Sequence, residues 1–140
     1  MRRFVVASHG YMASGMLHTA EMVVGKRENV QCICAYIGEG ESKSVEEEVK
    51  ASIERLGRAD ELVVVTDIYG GSVCSAFLPY IDNKKVYLIA GMNLPLLLEL
   101  FSNPIEDTRE LIRRSIAKAR ASICEPAELL ETVSSAVEEF

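Results

Sequence analysis

Apolar residues follow two alternating patterns along the chain, short continuous runs and stripes at helical spacing. The runs at 4–8, 30–36, 62–66 and 86–90 indicate strands, and the first shows no polar alternation, as in a strand covered on both faces. Between the runs, apolar residues recur every three or four positions, which predicts helices at about 12–24, 45–56, 72–81 and 108–121 and another beginning near 94.

Short-range signals mark where several of these helices begin. Ser44 followed by Glu47 forms a capping-box pattern. Asn93 can cap a helix that carries Pro95 in its first turn. Ser72 follows a glycine pair and can cap the next helix, which runs to about residue 81.

The alternation of strands and helices predicts a three-layer α/β/α domain with a mainly parallel sheet and helices on both faces. We expect the strand order 2-1-3-4, with a short fifth, antiparallel edge strand at Ser122–Cys124. A final helix should begin at Pro126. We expect one domain over residues 1–140, because the chain shows no internal repeat, low-complexity segment or interdomain linker.

Composition and charge narrow the function classes. The formal net charge is -6, which argues against a nucleic-acid surface, since such a surface needs a basic patch. No apolar run approaches the roughly 20 residues of a membrane helix, and no signal peptide is evident. The expected compartment is therefore the cytoplasm.

Neither a metal nor an organic cofactor is expected. The four cysteines, at 32, 34, 74 and 124, lack metal-ligand spacing and are predicted to be reduced thiols, with Cys32 and Cys34 on one face of a strand. Glycine-rich nucleotide-binding loops of the Walker and Rossmann types are both missing from the sequence. If the protein accepts a phosphoryl group, the donor is therefore expected to be another protein rather than ATP.

Two predicted strand ends carry residues that suit chemistry. His9 directly follows the first strand, and Asp67 directly follows the third. In the order 2-1-3-4 these ends meet at the point where strand order reverses, which is where α/β domains place their sites. A carboxylate that accepts from one ring nitrogen fixes the tautomer and leaves the other nitrogen as a nucleophile. His9 and Asp67 are the candidate catalytic pair for forming an N–P bond.

The neighbouring residues are candidates for binding a phosphoryl group. The turn at Gly70 and Gly71 can expose backbone N–H groups at a helix start, and the Ser72 hydroxyl and Thr66 can add donors. Gly10 permits close approach of the backbone beside His9. Taken singly, each feature also has a structural interpretation as a turn, a cap or a core histidine, and it is their combination on two strand ends that favours a site.

Three ordered motifs carry a resemblance to a known family. The opening run FVVASHG at 4–10, TDIYGGS at 66–72 and IAGMNLP at 89–95 resemble the motifs of mannose-family IIA domains of the sugar phosphotransferase system, over about residues 3–120. The resemblance implies that His9 is phosphorylated, that Asp67 orients it and that Ser72 contacts the phosphoryl group. It also implies a phosphotransferase that receives the group from HPr and passes it to a IIB component.

The resemblance has further implications and some departures. The resemblance implies a homodimer with an exchanged C-terminal strand, which would be Ser122–Cys124 here, and contact with the membrane only through IIC and IID components. Val73 stands where the family usually has proline, and the asparagine that often follows is missing at Cys74 and Ser75. No linker to a IIB domain follows, which suggests a separate IIA subunit.

Three other functions stay open at this stage. One is a phosphorylation-dependent regulatory module, and a second is the phosphocarrier subunit of a dihydroxyacetone kinase, which also uses a histidine after the first strand. The third is a flavodoxin-like ligand-binding domain.

Overall fold

The computed structural model describes residues 1–38 and 43–131. Within these residues the strands are β1 (Arg2–His9), β2 (Val30–Ala35), β3 (Glu61–Thr66) and β4 (Val86–Ala90). The helices are α1 (Met12–Val24), α2 (Val45–Glu54), α3 (Ser72–Phe77), α4 (Leu94–Ser102) and α5 (Thr108–Ala121). A 3-10 turn, Leu78–Tyr80, continues α3.

The four strands form one parallel sheet in the order β2-β1-β3-β4, which confirms the predicted topology. The register places His9 opposite Ala35 of β2 and Ala7 opposite Thr66 of β3. Because the strands are parallel, the carboxyl ends of β1, β2 and β3 lie at one edge of the sheet.

Alternate residues of β1 enter separate cores on the two faces of the sheet, as the pleat of a strand requires. Phe4 and Val6 pack with α1, α4 and α5. Val5 and Ala7 pack with α2 and α3. All four side chains are buried, so β1 is an interior strand of a sheet with both faces covered. This explains why its sequence is continuously apolar rather than alternating.

The predicted caps of α2 and α4 are confirmed. The Ser44 hydroxyl accepts from the Glu47 N–H at 3.2 Å, and the Asn93 side chain accepts from the Leu96 N–H at 2.9 Å. Each bond satisfies one of the donors that a helix start leaves without an intrahelical acceptor.

The structure does not contain the predicted fifth strand at Ser122–Cys124. Ser122 caps the carboxyl end of α5 with helical backbone angles, and Ile123 and Cys124 have no regular structure. The chain is helical again over 126–131, so too few residues remain between the two helical segments for a strand to pair. The rest of the predicted final helix, 132–140, lies outside the described residues.

None of the helices formed by residues 1–38 and 43–131 combines the length and the apolar character that crossing a membrane requires.

Candidate functional site

His9 and Asp67 are in direct contact at the carboxyl edge of the sheet. Asp67 Oδ2 lies 2.7 Å from Nδ1 of His9 and also accepts from the His9 backbone N–H at 2.8 Å. His9 is the last residue of β1 and Asp67 follows the last residue of β3, so the pairing of these neighbouring strands brings the groups together. The sequence predicted this proximity from the strand order.

The Asp67 carboxylate is stabilised in its ionised form. Burial by itself raises the pKa of this carboxyl, but hydrogen bonds from the His9 backbone and ring and from the Ile68 N–H outweigh burial and hold the pKa below its usual value. These hydrogen bonds therefore stabilise the folded protein above the ordinary pKa of an aspartate. Their contribution is lost as the pH falls through the lowered pKa of the folded state.

The ionised carboxylate sets the tautomer of His9. A carboxylate can only accept, so Nδ1 must carry the proton that lies between the two groups, and in the neutral ring Nε2 then holds a lone pair. Nε2 lies 3.1 Å from the Ser72 hydroxyl oxygen. The Ser72 hydroxyl therefore donates to Nε2, and the nucleophilic nitrogen faces a polar group that can rotate.

The glycines of the site act in two different ways. Gly10 and Gly70 have φ angles of +57° and +79°, which L side chains rarely adopt, and a Cβ at either would meet nothing within 4 Å. Gly10 is therefore required by its backbone angle and not, as the sequence suggested, by close approach. Close approach occurs at Gly71, where a Cβ would lie 2.8 Å from Ile68 Cγ2 and 3.3 Å from His9 Cε1.

Substitution of Gly71 by alanine is expected to displace the His9 ring while lowering the stability of the fold only slightly. The backbone of Gly71 has a φ of -75°, which alanine adopts, and the Ile68 side chain is exposed and can move aside. We expect the free energy of unfolding to fall by about 1 kcal/mol or less and the Cε1 resonance of His9 to shift in NMR spectra. Gly15→Ala, inside α1 with nothing within 4 Å, is the control. An unmoved His9 resonance in Gly71→Ala would contradict the packing described here.

The structure places two predicted hydrogen-bond donors, Thr66 and Ser72, differently from the sequence-based expectation. The Thr66 side chain is fully buried and its hydroxyl donates to the Ile89 carbonyl oxygen at 3.3 Å, so the structure does not bring it to His9. Ser72 is not the N-cap of α3, because Gly71 holds that position and makes no side-chain cap. The Ser72 side chain is thus free to face His9, and no side chain caps the first turn of α3.

Sequence reasoning missed two residues of this site. Tyr36, one residue beyond the end of β2, donates from its hydroxyl to the Ser72 oxygen at 3.0 Å. Ser8 is fully buried and accepts from the Ala13 N–H at 2.7 Å while donating to the Gly10 carbonyl at 3.0 Å, which holds the loop after His9. Position along the chain was the signal that could have found them. Ser8 lies near the end of the strand that contains the histidine, and Tyr36 lies at the end of the neighbouring strand.

The site lies on an open surface surrounded by exposed apolar side chains. The His9 side chain is 43% exposed, whereas that of Asp67 is 11% exposed. The carboxyl ends of β1, β2 and β3 lead into the apolar rim, which we define as Tyr11, Met12, Ile37, Ile68 and Tyr69, all of them exposed. Several exposed apolar side chains near the ends of neighbouring strands are typical of a contact site for another protein.

The structure also locates the possible metal ligands and the thiols of β2 within the part of the chain that it describes. Within 1–38 and 43–131, no group of three or more His, Cys, Asp or Glu side chains could hold a metal ion. Cys32 and Cys34 share a strand face as predicted, with their sulfur atoms 3.9 Å apart. Burial, together with the neighbouring Cys34, raises the pKa of the Cys32 thiol to about 12, so it stays protonated and unreactive at neutral pH.

Comparison with curated proteins finds relatives in the sugar phosphotransferase system. The mannose-specific EIIAB component of Escherichia coli K12 is 30% identical over 122 residues, which cover 85% of this chain. The chain spans only 38% of the length of that relative. The fructose-specific EIIA component of Bacillus subtilis is 25% identical over 99 residues, covering 70% of this chain and 67% of the relative.

Solved structures share the fold closely. A protein from Klebsiella pneumoniae, described as a candidate sugar phosphotransferase permease, superposes with a TM-score of 0.85 at 34% identity, covering 92% of this chain and 93% of that one. A IIA protein associated with the fucose utilization operon of Streptococcus pneumoniae gives a TM-score of 0.76 at 29% identity and covers 92% and 96% of the two chains.

The family model EIIA-man, described as the PTS system fructose IIA component, matches residues 3–116, which is well over half of the chain. This range contains β2, β3, β4, all of β1 except Arg2, and every residue of the site. The chain therefore belongs to the EIIA-man family of phosphotransferase system IIA components.

Proposed function

We propose that this protein is a phosphocarrier that accepts a phosphoryl group on Nε2 of His9 from HPr and passes it to a IIB component during sugar uptake. The observation that carries the proposal is the 2.7 Å hydrogen bond between Nδ1 of His9 and the ionised Asp67. It leaves Nε2 with its lone pair, in a side chain that is 43% exposed, and this is the form of imidazole that attacks phosphorus.

The proposed transfer exchanges one N–P bond for another. The Nε2 lone pair attacks the phosphorus while the bond from phosphorus to the histidine nitrogen of phosphorylated HPr breaks, and that nitrogen keeps the bonding electron pair. The His9 ring gains positive charge as the new bond forms. Asp67 keeps the Nδ1 proton in place and stabilises this charge, so no base has to remove a proton before the attack.

Hydrogen-bond donors around Nε2 support binding of the transferred group. The Ser72 hydroxyl, 3.1 Å from Nε2, can rotate from the nitrogen to a phosphoryl oxygen once the lone pair is used. The turn at Gly70 and Gly71 brings the start of α3, which no side chain caps, beside the ring. The first N–H groups of a helix lack intrahelical acceptors and favour an anion. Gly10 shapes the opposite side of the site through its positive φ.

A protein donor fits the surface better than a small molecule does. The acceptor nitrogen belongs to a side chain that is 43% exposed, and the exposed side chains of the apolar rim offer contact area beside it. A partner histidine can approach such a surface directly, which the in-line geometry of phosphoryl transfer requires. This supports HPr as donor and a IIB protein as acceptor, each docking on the apolar rim in turn.

The wider assembly belongs to the same proposal. We propose a single IIA domain over residues 1–140 that acts in the cytoplasm as a homodimer and reaches the membrane only through IIC and IID components. A groove beside the β4 edge supports contact with a second copy, because it is lined by apolar residues of β4, α4 and α5 together with Ile123. The segment 122–140 begins at this groove and is the proposed exchange segment.

The proposed function is tested by labelling the purified protein. HPr, its phosphorylating enzyme and phosphoenolpyruvate are supplied, and a phosphate that is acid-labile and hydroxylamine-sensitive is expected on the peptide that contains His9. A reaction without HPr is the control and should leave the protein unlabelled. Failure of HPr to label the folded protein, or a phosphate mapped to another peptide, would contradict the proposal.

A further inference from the structure

Tyr36 occupies a strained position directly beside the nucleophile. Its φ angle is +60°, the only positive value at a non-glycine residue among the described ones. A bulky side chain adopts this region at a cost in free energy. It follows Ala35, the residue of β2 that pairs with His9, so the strained turn directs the tyrosine ring across the carboxyl edge of the sheet.

The Tyr36 side chain makes two contacts at the site. Its hydroxyl lies 3.0 Å from the Ser72 oxygen, and its ring centre lies 5.6 Å from that of His9 with a tilt of 42°. The first contact depends on the hydroxyl and the second on the ring alone. A phenylalanine at this position would keep the ring contact and lose only the hydrogen bond.

The ionised Asp67 fixes the direction of every hydrogen bond in this chain of contacts. Asp67 accepts from Nδ1, so Nε2 must accept, and Ser72 must donate its single hydroxyl proton to Nε2. The Ser72 oxygen is then left with lone pairs alone, and Tyr36 must be the donor to it. Donation from Tyr36 makes the Ser72 hydroxyl a stronger donor in turn, because linked hydrogen bonds polarise one another.

We infer that Tyr36 is a positioning residue for phosphoryl transfer, which holds the Ser72 oxygen in place so that its proton is directed at Nε2 and then at the phosphoryl group. This inference rests on the proposed function. When the N–P bond forms, Nε2 loses its lone pair and Ser72 must turn its proton to a phosphoryl oxygen. With the oxygen anchored by Tyr36, only the O–H bond has to rotate.

The test compares Tyr36→Phe with the wild type in HPr-dependent phosphorylation. We expect the rate to fall roughly threefold to tenfold, the range expected for one hydrogen bond to a positioned group. In a Ser72→Ala background, Tyr36→Phe should have no further effect, because the residue through which Tyr36 acts is missing. Tyr80→Phe is the control. It also removes a tyrosine hydroxyl, from a side chain that packs against the core under α2 and α3, and it should leave the rate unchanged.

A second readout does not need HPr. The ¹⁵N resonance of Nε2 in the unphosphorylated protein reports the hydrogen bond from Ser72, and Tyr36→Phe should shift it towards its position in Ser72→Ala. An unchanged rate together with an unchanged resonance would overturn the inference. An equal loss of rate in both backgrounds would also overturn it, because Tyr36 would then act without Ser72. A wild type that HPr cannot label would contradict the proposed function, and the resonance would still decide the role of Tyr36.

Discussion

Replacement of His9 by glutamine is expected to abolish labelling by HPr, with a loss on the order of 10⁶-fold, as for the removal of other enzymatic nucleophiles. Glutamine can still hydrogen-bond to Asp67, but its amide nitrogen has no available lone pair with which to attack phosphorus. The fold should persist, since the His9 side chain is 43% exposed and lies outside both cores. The measurement is incorporation of acid-labile phosphate, with thermal unfolding as the check on folding.

The chain offers a matched control for this experiment. His18 is the other of the two histidines, and it is exposed on α1. His18→Gln should therefore be labelled at the wild-type rate. Persistent labelling of folded His9→Gln protein, or loss of labelling in His18→Gln, would assign the phosphate to a residue other than His9.

Asp67→Asn is expected to slow phosphoryl acceptance by roughly 10² to 10⁴-fold while the protein stays folded. Asp67 Oδ2 accepts from the His9 backbone and from Nδ1, and Oδ1 accepts from the Ile68 N–H. Asparagine has one oxygen for these three donors. Its NH₂ group must therefore face either the Ile68 N–H or the two donors of His9.

Both orientations of the asparagine reduce the rate. With the NH₂ group towards Nδ1, the ring must accept there, and the proton moves to Nε2 and blocks the nucleophile. With the NH₂ group towards Ile68, the tautomer survives, but the positive charge that develops during transfer is no longer matched by a carboxylate. Single-turnover phosphorylation measures the rate, and NMR of the imidazole nitrogens reports the tautomer.

Asp60→Asn is the control for Asp67→Asn, because it also removes a charged carboxylate, but at a position far from His9. Asp60 pairs with Arg3 Nε at 2.9 Å near the opposite, amino end of β1, so its substitution should affect stability without changing transfer. An Asp67→Asn rate within threefold of the wild type would show that the carboxylate does not orient or stabilise the reacting ring.

The contact between His9 and Asp67 could be predicted because it depends only on the strand order and on which residues end the strands. Continuous apolar runs indicated a parallel sheet, the carboxyl ends of its strands share one edge, and only two of those ends carried a histidine or a carboxylate. Thr66 could not be removed from the donors in the same way, because it pairs with Ala7 and so shares the sheet face of His9 by strand alternation. Only the structure shows that its side chain is buried and that its hydroxyl donates to the Ile89 carbonyl oxygen.

Tyr36 could not be predicted in the same way. In the sequence it extends the apolar run of β2, and no pattern shows that its backbone leaves the strand with a positive φ. The strand expected at Ser122–Cys124 was wrong for a related reason, since a short apolar run can end a helix as well as form a strand. At 122–124 the next helical segment, which begins at residue 126, leaves too few residues for a strand.

Because β2, β1 and β3 are adjacent and in register, Tyr36, His9 and Asp67 each come from the end of a different strand. A slip of one residue between β1 and β3 would move His9 and Asp67 apart by about 3.3 Å along the strands, which would break the 2.7 Å contact between them. A sheet that is only partly assembled therefore lacks the arrangement of these three side chains altogether, instead of holding a less active form of it. The final extent of labelling of a purified sample, in phosphates per chain, consequently measures the fraction of molecules whose sheet is correctly assembled.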